Sequence, residues 1–260
     1  MLKSDIANIY RSSWAFALAC PLLFAIPVLV EMAQHVVELH AGMYAGKEGA
    51  IAAESDPLRM QFGFAKTLAL LLPGYWFTRY IMFDRDGVRA ARIERPAILL
   101  WLVLFALMSV QMWFGLFGTP LAEMLGLDEV QSQVFGVAKG IIEVVISIYL
   151  MAWFTAWPLG NGRIGPLRSF SIMHGSFWYS LALFVVGFLP LMLIHYGLAI
   201  AAVLWLPTAL DWAAMILDSV IVGFLALTMV GATTYAARHA AGKKGIFLLP
   251  QVDAEHPVRA

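Results

Sequence analysis

Ionisable side chains interrupt the apolar segments of this 260-residue chain at spacings that suit a helix. Glu31, His35 and Glu38 are separated by four and three residues, which places them on one helix face. Lys139 and Glu143 are four residues apart and can pair within one helix. The other polar residues of such segments are Lys66, Gln111, His195, Asp211 and Asp218. An ionised side chain near the bilayer centre costs about 2.5–3.5 kcal/mol, so such residues usually face a partner or a water-filled cavity.

This polar set predicts a chamber between helices that opens outward and suits an ion, a proton or a lipid headgroup. The alternative is structural: some of these side chains extend to the interface and the others pair to hold the bundle together. We expect Glu143 and Asp218 to point into the bundle, with at least one basic or histidine partner. The candidate binding residues are Glu31, His35, Lys66, Lys139, Glu143, His195 and Asp218.

A metal site is a more specific form of the polar-chamber hypothesis. Glu31, His35, Glu38 and His195 offer nitrogen and oxygen ligands for a divalent ion. Their spacing is less specific than the zinc motif H-E-x-x-H, which the chain lacks, as it lacks a phosphate-binding glycine loop and a G-x-S-x-G elbow. We therefore expect no catalytic residue, no metal and no cofactor, with an intramembrane metal-dependent enzyme as an alternative.

The elements that position these residues are long apolar stretches. The chain is 61% hydrophobic, only 13% of its residues are charged, and its formal net charge is zero, which gives no indication of nucleic-acid binding. A bilayer core of about 30 Å requires about 20 apolar residues per helix. The sequence predicts an all-α transmembrane bundle with six spans, at about 14–37, 62–82, 97–117, 134–157, 176–206 and 209–236.

The whole chain, 1–260, is expected to form a single transmembrane domain. Residues 1–13 have the pattern of an amphipathic interfacial helix, and residues 237–260 form the tail. Pro73-Gly74 and Pro190 interrupt the second and fifth spans, and Thr119-Pro120 opens a short apolar segment, 121–127, placed flat on the interface. Paired breaks at one depth are typical of transporter sites, although a proline in a membrane helix also marks a simple kink.

Orientation follows from the lysines and arginines, which accumulate on the cytoplasmic side of membrane proteins. Most of the 17 basic residues lie at the N-terminus, between the second and third spans, between the fourth and fifth, and in the tail. The opposite side has Lys47, Arg59, Lys66 and Lys139. Both termini are therefore predicted to be cytoplasmic.

Two segments resemble a family of six-span bacterial inner-membrane proteins. Arg168, Ser169, Gly175 and Trp178 match a pattern that leads into the fifth span of YciC-like proteins and of the membrane domain of some glycerophosphodiester phosphodiesterases. The segment 10–14 is similar to the family's entry helix. The resemblance implies a location in the inner membrane of a bacterium and a short cytoplasmic helix before the fifth span. It also implies an accessory role in the membrane envelope, with no enzymatic activity.

These observations predict a non-enzymatic integral membrane protein that binds lipid or a membrane-protein partner, including a second copy of itself. The first alternative is a small secondary transporter that uses the outward polar chamber. The second is the intramembrane metal-dependent enzyme.

The predicted topology can be tested with reporter fusions at two glycines. A periplasm-active reporter fused after Gly118 should be active, because that position follows the third span. The same reporter after Gly160, beyond the fourth span, should be silent. An active Gly160 fusion would contradict the predicted orientation.

Overall fold

The computed structural model describes residues 1–119 and 121–250, except the side chain of Thr208, and every regular element in this part of the chain is helical. A short 3-10 turn, Trp157–Leu159, follows the ninth α-helix. The α-helices are α1 Leu2–Ala19, α2 Pro21–His40, α3 Lys47–Glu54, α4 Pro57–Leu71, α5 Gly74–Met82, α6 Gly87–Ala91, α7 Arg95–Phe117, α8 Leu121–Met124, α9 Glu129–Ala156, α10 Pro166–Met173, α11 Phe177–Leu204 and α12 Thr208–Lys243.

Five helices, α2, α7, α9, α11 and α12, are long and apolar enough to cross a membrane. The predicted span 62–82 is instead divided into α4 and α5, and neither half reaches that length alone. Pro73 causes the break, because proline has no backbone N–H and its ring collides with the carbonyl four residues earlier. The sequence-based expectation of an interruption at Pro73-Gly74 is confirmed, whereas the expected interruption at Pro190 is wrong, because α11 continues through that proline from Phe177 to Leu204.

The predicted first span, 14–37, is also divided. Helix α1 ends at Ala19 and α2 begins at Pro21, where the missing N–H of proline is tolerated in the first turn. The segment predicted as a separate interfacial helix, 1–13, is therefore continuous with 14–19. Ile9 and Phe16 of α1 are completely buried, so this helix belongs to the packed core as well as to the interface.

Two further boundaries differ from the sequence-based expectation. The segment 38–61 between the first two predicted spans contains α3, whereas α10, Pro166–Met173, lies where the resemblance implies a short helix. Helix α12 continues to Lys243, well into the predicted tail. Pro120, Arg259 and the tail beyond residue 250 lie outside the described residues.

Helix α12 is the centre of the packing. It contacts α1, α2, α4, α5, α9, α10 and α11. Its 36 residues rise about 54 Å at 1.5 Å per residue, more than the roughly 30 Å of a hydrocarbon core. The largest buried apolar cluster joins it to the other helices through residues such as Ile9, Phe77, Ile148, Leu183 and Leu227.

A buried arginine fixes α5 against the start of α7. The side chain of Arg79 is completely inaccessible and donates to Glu94 Oε1 at 2.7 Å and to the Pro158 carbonyl at 3.4 Å. Its guanidinium also lies against the rings of Tyr75 and Phe83, at 5.2 and 4.9 Å from their centroids. This arginine therefore connects three segments of the bundle, α5, the start of α7 and the turn after α9.

Glycine permits close helix contacts at two positions. A Cβ atom on Gly187 of α11 would lie 2.8 Å from Ala232 Cβ and 2.9 Å from the Thr228 carbonyl oxygen, both on α12. A Cβ atom on Gly223 of α12 would lie 2.5 Å from Val28 Cγ2 of α2. Small residues at such positions let membrane helices approach closely.

We predict that Gly187→Ala destabilises the protein by about 1–3 kcal/mol, because a backbone carbonyl blocks the added methyl group and the helices must separate. Gly197→Ala, on the same helix, is the matched control, since no atom lies within 4 Å of its Cβ position. The control should be neutral or stabilising by up to about 1 kcal/mol. Thermal unfolding in mild detergent measures both, and equal losses would contradict the α11–α12 contact.

Candidate functional site

A buried histidine on α2 joins three carboxylates from two helices. His35 Nε2 lies 3.0 Å from Asp218 Oδ2 and 3.6 Å from Glu31 Oε1. On the other side of the ring, Nδ1 lies 3.1 Å from Glu38 Oε2 and 2.9 Å from the Tyr44 hydroxyl. We call the surrounding set the buried ion cluster, which consists of Glu31, His35, Glu38, Arg59, Lys66, His195 and Asp218.

Glu38 is the most connected carboxylate of the buried ion cluster. Its Oε1 accepts from Gln34 Nε2 at 2.9 Å and from Arg59 Nε at 3.1 Å, and its Oε2 accepts from the Tyr44 hydroxyl at 3.0 Å. Burial and the neighbouring Glu38 carboxylate raise the pKa of Tyr44 above its ordinary value, so this hydroxyl keeps its proton and acts as the donor.

The hydrogen bonds of His35 follow from this network. Because the Tyr44 proton is directed to Glu38, the hydroxyl oxygen accepts from His35, so Nδ1 carries a hydrogen. Nε2, on the other side of the ring, lies 3.0 Å from Asp218 Oδ2, and with a proton on that nitrogen the ring donates to Asp218 as well.

Asp218 connects α12 to α11 and α2. His195 Nδ1 lies 2.8 Å from its Oδ1 and 2.9 Å from its Oδ2, while His35 approaches Oδ2 from the other side. The prediction that Asp218 points into the bundle and has a histidine partner is confirmed. Both histidines are candidate residues from the sequence, and the structure brings them to the same carboxylate.

Glu31 connects α2 to α4. Its Oε1 accepts from Lys66 Nζ at 2.9 Å, so the predicted candidate Lys66 also belongs to the cluster. The side chain of Glu31 is 1% exposed, and its second oxygen, Oε2, has no hydrogen-bond partner among the described residues. A buried polar atom without a partner is costly, so this oxygen is the incomplete point of the cluster.

A cavity of about 10 Å³ borders the cluster between α2, α11 and α12. Its lining includes His35, Tyr44 and Asp218, together with apolar residues such as Ala202 and Met215. This volume corresponds to about one water molecule or one ion. The polar side chains therefore pair with one another around a very small space.

Glu143 and Lys139 lie outside the cluster, and the prediction that Glu143 points into the bundle is wrong. The two side chains pair with each other at 2.7 Å and remain about half exposed, at 48% and 51%. The buried residues of α9 begin only at Ile148, so its N-terminal half does not pack into the bundle. Sequence gives the depth of these residues, whereas the direction in which they point depends on packing.

Three members of the network were not among the predicted site residues. Gln34 lies four residues before Glu38 and therefore on the same helix face, so this contact was predictable from the spacing. Arg59 and Tyr44 come from the connection 41–59, whose fold the apolar pattern does not specify. Asp56 caps α4 through the Arg59 N–H at 2.8 Å and thereby fixes the position of Arg59.

A second feature is an apolar groove of about 230 Å³ bordered by α4, α5, α7, α9 and α12. It lies beside the break at Pro73-Gly74. Its polar lining is limited to three threonines, Thr67, Thr78 and Thr233, and the indole of Trp101. We call this the lateral groove; its lining shares no residue with the buried ion cluster.

Comparison of the chain with family models, curated proteins and solved structures finds no match.

We predict that the Lys66–Glu31 pair stabilises the fold in a strongly non-additive way. Lys66→Met alone should cost about 3–5 kcal/mol, because it leaves the buried Glu31 carboxylate uncompensated, and Glu31→Gln alone should also be costly. The double variant should cost less than the sum of the two. Lys47→Met, at an exposed lysine, is the control and should leave the thermal midpoint in detergent unchanged. Additive losses would contradict an interaction between the two side chains.

Proposed function

We propose that this membrane protein is non-enzymatic, resides in the inner membrane of a bacterium and binds lipid in the lateral groove. The observation that carries the proposal is an apolar cavity at the side of a bundle whose helices have the composition of membrane spans. In a bilayer, the molecules that reach such a cavity are lipids. The proposal thus assigns the lipid binding predicted from the sequence to the lateral groove.

The volume and lining of the groove suit part of a lipid. Small-molecule sites usually measure about 300–1,000 Å³, and the groove is smaller, at about 230 Å³. One acyl chain is the occupant that fits this size and the apolar lining. The side chains of Leu70, Leu104, Met108 and Met229 would contact its methylene groups.

The proposed membrane arrangement has six crossings and cytoplasmic termini. Helices α4 and α5 together cover residues 57–82, enough for one crossing of about 30 Å despite the break between them. The distribution of lysine and arginine supports the orientation. The buried ion cluster then lies in the outward half of the bilayer and Arg79 in the inward half.

A second candidate is a membrane-protein partner, favoured by the outward half of α9. This half presents Val130, Val134, Val137 and Ile141 together with the Lys139–Glu143 pair, all outside the packed core. An ion pair that faces hydrocarbon is costly unless another helix covers it. A second copy of the chain would bring a complementary pair of the same two side chains.

The two alternative functions from the sequence have different requirements. A transporter needs a path for its solute, and the cavity at the buried ion cluster, about 10 Å³, is too small for a hydrated solute in this conformation. Flux driven by an ion gradient into liposomes would support the transporter over the lipid-binding proposal. The intramembrane metal-dependent enzyme would be supported by measured turnover of a substrate.

The lipid proposal predicts that filling the groove removes bound lipid. Met108 lines the groove, whereas Leu107, the next residue on α7, is 52% exposed and faces away from it. Met108→Phe should reduce the lipid adducts seen by native mass spectrometry from mild detergent, and Leu107→Phe should leave them unchanged.

Three outcomes of this experiment decide between the candidates. Lipid lost from Met108→Phe alone supports the groove. Equal lipid content in both variants and the wild type would contradict it. A dimer or a second protein in the spectrum, dissociated by Lys139→Met and Glu143→Gln together, would favour the partner-binding candidate instead.

A further inference from the structure

The donor atoms of Glu31, His35 and Asp218 have the arrangement of a metal site. One ligand atom from each residue lies within 4.8 Å of the other two, and all three residues are buried. One imidazole nitrogen and two carboxylates form the mixed donor set that Zn²⁺ and related divalent ions accept. The sequence offered Glu31 and His35 for this role, and the fold adds Asp218 from α12.

Each of the three donors also has an outer partner that orients it. Lys66 holds Glu31 through Oε1, Glu38 accepts from His35 Nδ1, and His195 binds Asp218. Metal-binding histidines characteristically donate their second N–H to a carboxylate, and ligating carboxylates are in turn hydrogen-bonded. The cluster thus has the outer contacts of a built metal site as well as its ligands.

Two features of the cluster fit a bound cation. His35 Nε2 faces the Asp218 and Glu31 carboxylates, so a metal ion would take the place of the proton that this nitrogen otherwise shares with Asp218. Glu31 is buried, and its Oε2 has no hydrogen-bond partner among the described residues, which leaves this carboxylate with an oxygen to offer as a ligand.

The charges and the space agree with this interpretation. Three carboxylates, Glu31, Glu38 and Asp218, face two permanent cations, Arg59 and Lys66, so the third negative charge is balanced either by a protonated histidine or by a bound cation. The adjoining cavity of about 10 Å³ has room for one water molecule beside the ion.

We propose that Glu31, His35 and Asp218 bind one divalent transition-metal ion, of which Zn²⁺ is the representative, between α2 and α12. Lys66, Glu38 and His195 hold the ligands in place, and water from the adjoining cavity completes the coordination. The ion connects two helices that are remote in sequence. This inference is independent of the lateral groove and of lipid binding.

The test uses tag-free, full-length protein in mild detergent, incubated with Zn²⁺ and then freed of excess metal. Elemental analysis should find one zinc per chain, and the thermal midpoint should rise with zinc concentration. Asp218→Asn and His35→Gln should abolish zinc retention. Lys66→Met should weaken binding by about 10- to 100-fold, the usual effect of losing an outer partner.

Asp211→Asn is the matched control, because Asp211 is also a buried aspartate of α12 and lies outside the three-residue set. It should retain zinc like the wild type. The proposal is overturned if the folded wild type neither retains zinc nor is stabilised by it, or if Asp211→Asn loses zinc as Asp218→Asn does.

A measurement on the wild type covers the case in which the ligand variants fail to fold. X-ray absorption of the zinc-loaded protein should show only nitrogen and oxygen neighbours at about 2.0–2.2 Å, with the scattering pattern of imidazole. A sulfur neighbour, which only Cys20 or a methionine could supply, or a first shell without imidazole would place the zinc elsewhere and overturn the assignment.

Discussion

The absence of water in a bilayer core governs this structure, because each polar side chain there must find its partner inside the protein. The Asp218 carboxylate shows the result most clearly, since it accepts from two histidines on two other helices. Arg79 has its partners in a different part of the bundle, where it contacts Glu94, a carbonyl and two aromatic rings. These contacts fix how α2, α5, α7 and α11 lie against their neighbours.

Much of this architecture is present in the sequence. Apolar length predicts the long helices, Pro73 predicts a break, and the spacing of Glu31, His35 and Glu38 predicts their common face. The contact between His35 and Asp218 is not predictable in this way, because apolar runs give the depth of a residue and leave helix rotation undetermined. Glu143 demonstrates the difference, since it was grouped with Asp218 by depth and yet points away from the bundle.

The two candidate sites occupy different regions around α12. The buried ion cluster lies between α2, α4, α11 and α12, where the polar side chains pair with one another and the remaining space is minimal. The lateral groove lies between α4, α5, α7, α9 and α12, where the packing leaves apolar surface uncovered. Helix α4 contributes to both, through Lys66 to the cluster and through Thr67 to the groove. A rotation of α4 would therefore change both regions together.

The central position of the last helix also has a consequence for biosynthesis. His35 and Asp218 are 183 residues apart, so the ribosome needs roughly 10–40 s at about 5–20 residues per second to deliver the second after the first. Throughout that interval Glu31 and His35 are without their partner from α12. The contacts around Asp218 therefore form only after the contact between Glu31 and Lys66, 35 residues apart, has become possible.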